Sequence, residues 1–297
     1  MYNQKSGIFD KIFMVFVIVF LTAFAFICVY PFYYILIGSI SSPQAISRGV
    51  FLWPVDINFH NYITIFETPG MLRSFYISVA RTVIGTTLTV ACSTFVAYLF
   101  TYKEIPFRRF LYRFFIITMY IGAGFVPFFM LLSNLGLLNT FWVYVVPSAI
   151  AAYFIILARA YMDSLPSSMR EAAEIDGAGV VRIFFSVIAP LCKPIIACLV
   201  VFAAVGQWNA WADTLYFVRD PDLFPMQFRL YRMLQNNMAD AMRTARSASA
   251  AMSAQQRMTP AALRLTMTFL TTMPILVVYP FMQRYFVKGL MLGAVKG

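Results

Sequence analysis

The chain has 297 residues, 61% of them hydrophobic, 18% aromatic and only 12% charged. A soluble domain of this length cannot hide so much apolar surface, so the composition excludes an ordinary globular enzyme and points to an all-α integral membrane protein. The formal net charge of +11 lies between apolar runs, where it reports membrane topology and not nucleic-acid binding.

A helix needs about 20 apolar residues to cross a bilayer. Six stretches qualify, at about 12–40, 74–100, 110–132, 142–161, 183–210 and 263–286. Pro31 is an expected kink in the first; Gly122, Gly124 and Pro127 interrupt the third. Pro190 and Pro194 fall near the start of the fifth, and Pro274 and Pro280 lie in the sixth. Such breakers are tolerated where neighbours re-satisfy the freed backbone groups. The first run is long enough to span and lacks a small-residue cleavage site, so it reads as a helix and not as a cleavable signal.

Lys and Arg in short loops mark the cytoplasmic side. Lys103, Arg108, Arg109 and Arg113 follow the second run, whereas the loop 133–141 carries no charge. The first of these loops is therefore expected inside, with both termini, and Lys5, Lys11, Arg284, Lys288 and Lys296 agree. The segment 213–262 is then external. From Leu223 to Arg264 the chain is basic, with Arg229, Arg232, Arg243, Arg246, Arg257 and Arg264 against Asp240. Arg suits carboxylates, so an acidic ligand or an acidic docking protein is one reading. A solvated loop rich in Ala, Ser and Met is the other.

Arg81 lies inside the second run. A charge there is either functional or snorkels to the outer interface. Gln207, Trp208, Asn209, Trp211 and Asp213 cluster where the fifth run meets the outside. Aromatic rings beside hydrogen-bonding groups suit sugar stacking and hydroxyl recognition, and they equally suit an interfacial aromatic belt. Arg81, Gln207, Trp208, Asn209 and Trp211 are thus the candidate substrate-pathway residues. His60 is expected to be solvated. Cys28, Cys92, Cys192 and Cys198 show no metal-type spacing and read as small packing residues.

A single His excludes an H-E-x-x-H zinc site. Neither a G-x-x-x-x-G-K-[ST] loop nor a G-x-S-x-G elbow occurs. No catalytic residue, metal-ligand set or ATPase site is therefore expected in this chain.

The polar stretch 163–182 separates the fourth and fifth runs. Ser168 followed by Glu171 reads as a capping box that starts a short helix, and Gly177 as its left-handed end. Met169, Ala172, Ala173 and Asp176 then share one small-residue face open to close approach. The stretch resembles the cytoplasmic loop of permease subunits of ATP-binding-cassette importers, which reads E-A-A, three residues, Gly, nine residues, I-x-L-P. Glu171-Ala172-Ala173, Gly177 and Val187-Ile188-Ala189-Pro190 keep that register, with Val187 for Ile and Ala189 for Leu. Gly136-Leu137, Asn139-Thr140, Gly206-Gln207-Trp208-Asn209 and the ending Tyr279-Pro280-Phe281 to Gly293-Ala294-Val295-Lys296-Gly297 are similar to the carbohydrate, maltose-permease-like branch. Within that branch, importers of oligosaccharides from pectin and alginate look most alike.

The resemblance implies a type I importer permease fold with six transmembrane helices in a bacterial cytoplasmic membrane, and alternating access as the mechanism. Glu171, Ala172, Ala173, Asp176, Gly177 and Pro190 are then ATPase-coupling residues, and Val295, Lys296 and Gly297 an ATPase-contacting tail. The implied partners are a second homologous permease subunit, two copies of a cytoplasmic ATPase that bind ATP and Mg, an extracytoplasmic solute-binding protein, a sugar and membrane lipid. Two rivals remain: a secondary transporter, which would show midplane acids, and a structural membrane subunit, which would not need the E-A-A register.

Overall fold

Long apolar stretches with few breakers leave the backbone to satisfy itself, and helix is the way a single segment does so. In the computed structural model, which describes residues 8–244 and 260–294, every regular element among the described residues is helical. The elements are α1 (Ile8–Ser39), α2 (Pro43–Arg48), α3 (His60–Glu67), α4 (Met71–Leu99), α5 (Arg108–Thr118), α6 (Phe125–Asn134) and α7 (Ala152–Met162). They continue with α8 (Ser168–Ile175), α9 (Val180–Ile183), α10 (Ala189–Leu191), α11 (Lys193–Asn209), α12 (Ala212–Phe217), α13 (Met226–Thr244) and α14 (Pro260–Ala294).

Three segments are long and apolar enough to cross a membrane, Phe9–Ser39, Met71–Leu99 and Ala261–Pro280. They coincide with the first, second and sixth expected runs. The fifth is sharply broken: Val180–Leu191 and Lys193–Asn209 meet at 86°. A π-turn at Phe184–Ile188 precedes the corner, and neither Pro190 nor Pro194 has an N–H to carry the ladder through it.

The third and fourth expected runs are not continuous helices. Residues 119–124 separate α5 from α6, with Gly124 at φ 81°. The fourth begins as a single 3₁₀ turn, Phe141–Tyr144, and becomes α-helical only at Ala152. Pro147 removes one donor there, and α4 supplies partners for the unwound backbone. Thr89 Oγ1 donates to the Ser148 carbonyl at 2.7 Å, and Ser93 Oγ accepts from the Ala151 N–H at 3.0 Å.

The chain divides into two units: up to Thr68 with Met233–Thr272, and Pro69–Arg232 with the stretch from Met273 on. In the first, Ile37, Ala45 and Val50 form a small core. Ser42 caps α2 by accepting from the Ala45 N–H at 3.2 Å, and Thr266 donates to the Ser39 carbonyl at 3.3 Å. The wall of Phe, Ile and Val along α1 is exposed.

The second unit is built around α4. In lipid, helices gain nothing from burying apolar surface against each other, so close packing and polar contacts must hold them. The buried face of α4 accordingly carries small and hydroxyl residues, Ser74, Ser78, Gly85, Thr86, Thr89 and Ser93. A Cβ at Gly85 would lie 2.7 Å from Gln207 Cδ of α11, so Gly permits this approach. One apolar core joins Tyr98, Ile155, Ile183, Phe184, Cys192 and Leu199; another joins Ile77, Leu132, Tyr144, Val218, Phe224 and Phe228.

Asn139 ties two loops of this second core together. At φ 56° its side chain accepts from the Arg219 and Asp220 N–H groups, each at 2.8 Å. Asn139→Ala removes the oxygen that accepts both hydrogen bonds and keeps the unfavourable φ, so it should destabilise the unit by about 1–3 kcal/mol. Asn139→Gly should cost less because φ is then relaxed. Thermal unfolding of the two purified variants checks the order.

Candidate functional site

Arg81 is the largest fully buried side chain among the described residues, at 1% exposure. It does not snorkel. Its guanidinium pairs with Asp213, Nη2 to Oδ2 at 2.5 Å and Nη1 to Oδ1 at 3.3 Å. Nη1 also donates to the Ala210 carbonyl at 3.2 Å, while Nε and Nη2 both reach Gln207 Oε1 at 3.4 Å. Arg81 Cζ stands 4.3 Å from the centre of the Tyr144 ring.

The local structure explains the arrangement. α11 stops at Asn209 and α12 starts at Ala212, so the Ala210 carbonyl has no helical partner and Asp213 falls in the first turn of α12. A cation belongs at a helix C-terminus and an acid at an N-terminus. Arg81 meets both ends of the break. Tyr144 is held in turn, donating to the Leu223 carbonyl at 2.9 Å and accepting from Thr214 at 3.2 Å. Gln207 Nε2 donates to Ser148 Oγ at 2.8 Å.

A cavity of about 340 Å³ opens beside this network, with Arg81, Thr89, Tyr144, Ser148, Gln207 and Asp213 as its polar lining and Phe154 and Phe202 among its apolar residues. Of the candidate pathway residues, the structure brings Arg81 and Gln207 to it. Trp208 turns to a small apolar groove with Pro274, Ile275, Val278 and Tyr279 and packs edge-on against Phe75. Asn209 accepts from Gln227 at 3.0 Å, and Trp211 stacks on Tyr231 at 4.1 Å. Sequence reasoning missed Thr89, Tyr144 and Ser148. Hydroxyls set in apolar runs were the available signal.

The basic segment that follows is less free than its composition suggests. Arg229 donates to Ser74 and to the Pro69 and Pro221 carbonyls at 3.5 and 3.3 Å. Burial, followed by the neighbouring Arg232, pulls its pKa down from the ordinary arginine value. Arg232 stands 5.7 Å from the Phe224 ring. Arg246 and Arg257 lie outside the described residues, as does the tail Val295, Lys296 and Gly297.

The second region is α8. Its N-cap is Ser167, with no side-chain cap bond, so the expected Ser168–Glu171 capping box is not formed. The C-terminal end is as expected. Gly177 has φ 76°, its N–H donates to Glu174 and the Ala178 N–H to Ala173, each at 3.0 Å, which is a Schellman closure.

Met169, Ala172 and Asp176 are exposed, but Ala173 turns inward against the core, so the four do not share one open face. Ile175 is 87% exposed beside them. α8 and α9 rest against the end of α4: Arg170 Cζ of α8 stands 4.7 Å from the Tyr102 ring, and Tyr98 donates to the Val180 carbonyl of α9 at 3.2 Å. Arg170 pairs with Glu174 at 3.3 Å. Asp176 sits at the C-terminal end, where an acid opposes the helix dipole, and the last turn has no base to offset it. Pro190 is exposed on α10, just before the corner.

Helices broken within apolar runs, a neutralised charge beside a polar cavity, and an exposed helix carried on the end of a long one define a transport-type helical membrane protein. The chain belongs to the family of binding-protein-dependent transport system inner membrane components, whose profile matches residues 89–292. Protein LplC of Bacillus subtilis is 32% identical, covering 100% of this chain and 98% of that one. The polygalacturonan/rhamnogalacturonan transport system permease protein YtcP of the same species is also 32% identical, over 99% of this chain and 100% of that one. Among solved structures, one chain of a bacterial ABC transporter involved in import of the acidic polysaccharide alginate superposes with a TM-score of 0.85. It is 29% identical and covers 96% of this chain and 100% of that one. A chain of a bacterial alginate ABC transporter in complex with alginate pentasaccharide-bound periplasmic protein shares the fold alone, at 14% identity, a TM-score of 0.56, and 92% and 93% coverage.

Proposed function

We propose that this chain is one of two permease subunits of a six-span ABC importer that moves an acidic oligosaccharide across the bacterial cytoplasmic membrane. The observation that carries the reading is the agreement of nearly the whole chain with a chain of a bacterial ABC transporter involved in the import of the acidic polysaccharide alginate. The polygalacturonan/rhamnogalacturonan permease points to a second carboxylate-bearing polymer.

In this reading both termini and α8 face the cytoplasm. The exposed Met169, Ala172, Ile175 and Asp176 meet one of two ATPase subunits, and ATP and Mg are bound there. A solute-binding protein delivers the sugar from outside. ATPase closure pushes α8, which with α9 bears on the α4 end through Tyr98 and Tyr102, and the helices rock between inward- and outward-open states. A secondary transporter is disfavoured because Asp213, the acid beside the cavity, is neutralised by Arg81 and not left to bind and release an ion.

Arg81 is committed to Asp213 and Arg229 to Ser74 and two carbonyls. The binding protein and the partner permease therefore carry more of the carboxylate recognition, and the cavity offers hydroxyl and amide contacts. The test is ATP hydrolysis by the reconstituted complex with its binding protein. Uronate oligomers should stimulate it, and neutral oligomers of equal length should leave it near the basal rate. Stimulation by the neutral set alone overturns the acidic substrate and leaves the importer reading standing.

A further inference from the structure

The transport reading leaves α5 without a role, although its three faces are chemically distinct. Tyr112 and Phe115 pack on the main core, and Arg108 turns back to donate to the Phe100, Thr101 and Tyr102 carbonyls at 3.3–3.4 Å, capping the end of α4. That cap braces the loop before α5. Phe107 is displayed there at φ 56° and 79% exposed, a conformation an aromatic residue rarely adopts.

The outward side of α5 holds two adjoining strips. Phe110, Phe114 and Ile117, spaced by four and three residues, are exposed aromatic and aliphatic groups. Arg109 and Arg113, one turn apart, are exposed beside them, and among the described residues neither forms an ion pair. A helix that sets unneutralised guanidiniums against an exposed apolar strip is chemically matched to the boundary between headgroups and acyl chains. Arg supplies a planar fork for a phosphate oxygen pair, and the rings lie where the chains begin.

We infer that Arg109, Arg113, Phe110 and Phe114 form a binding site for an anionic phospholipid of the cytoplasmic leaflet. The inference rests on the orientation proposed above, which places the start of α5 at the cytoplasmic surface. The site lies next to Arg170 and Tyr102 through the braced 101–107 loop, so an occupied site stiffens the platform on which α8 sits.

The test uses the purified complex and two lipids of equal acyl chains, phosphatidylglycerol and phosphatidylcholine, with retained lipid counted by native mass spectrometry. The wild type should prefer phosphatidylglycerol, and Arg109→Gln with Arg113→Gln should cut that preference by about thirty-fold, which is about 2 kcal/mol at 1.4 kcal/mol per tenfold. Arg109→Lys with Arg113→Lys keeps the charge and should retain most of the preference, which separates a lost site from a lost fold. Phe110→Ser with Phe114→Ser should lower retention of both lipids and leave their ratio alone. Equal retention of both lipids by the wild type overturns the inference, as does full preference in the double Gln variant. So does a photo-crosslinker at position 110 that captures a protein chain and no lipid. In a background lacking native cysteines, Lys103→Cys labelled only from outside the cell would overturn it through the topology. Indifference to phosphatidylglycerol would overturn it with the topology intact.

Discussion

Arg81→Leu is expected to destabilise the protein by about 3 kcal/mol and to abolish transport. The substitution leaves Asp213 inside with no counter-charge, strips the Ala210 carbonyl of its donor and frees Gln207 Oε1. Losing one partner of a buried pair usually costs about 3–5 kcal/mol, and the lower end applies because the Asp213 side chain is 24% exposed. Asp213→Leu strands the more deeply buried member and should do worse. The double variant Arg81→Leu with Asp213→Leu should recover much of the stability and none of the transport, because the pair also positions the α11–α12 break. Arg81→Lys keeps the charge but cannot span Gln207, Ala210 and Asp213 together, so it should fall between. Thermal unfolding and uptake measured on the same four variants decide it. A single Leu variant as stable as the wild type would show that the pair contributes nothing.

The parts of this fold that were readable without a structure are those governed by one-dimensional rules. Apolar length located α1, α4 and α14. Gly177 was readable because only a left-handed position needs Gly there, and it takes φ 76°. What stayed hidden depends on neighbours distant in sequence. Hydropathy is continuous through residues 142–161, yet the chain unwinds there because Thr89 and Ser93 of α4 offer it hydrogen bonds. Arg81 read equally as a functional charge or as one that snorkels, and its pairing was not legible, since Asp213 comes close to it only once α4 and α11 pack. Trp208 and Trp211 sit three apart in sequence, but the kink at Ala210 sends one to Phe75 and the other to Tyr231. The capping box failed for a local reason: the helix begins one residue earlier than the pattern assumes, at an N-cap Ser167 that makes no side-chain bond.

Gly177→Val is expected to lower transport by at least tenfold while leaving the assembled protein and docking of the binding protein intact. A Cβ at position 177 would meet nothing within 4 Å, so no clash opposes the substitution. The cost is entirely in the backbone, where φ 76° is unfavourable for a β-branched residue by about 1–3 kcal/mol. The cheapest relief is to give up the two Schellman hydrogen bonds from Gly177 and Ala178. Releasing them swings the exposed Ile175 and Asp176 away from the orientation that α8 presents, while Ala173 and Arg170 keep the rest of the helix seated. Effects should therefore appear in coupled ATP hydrolysis and uptake before they appear in thermal unfolding. Gly177→Asn is the control, because Asn accepts the left-handed conformation far more readily, and it should keep most of the activity. Uptake by Gly177→Val equal to that of the wild type would remove α8 from the transport cycle. Loss of the assembled protein in both variants would assign Gly177 to folding and not to coupling.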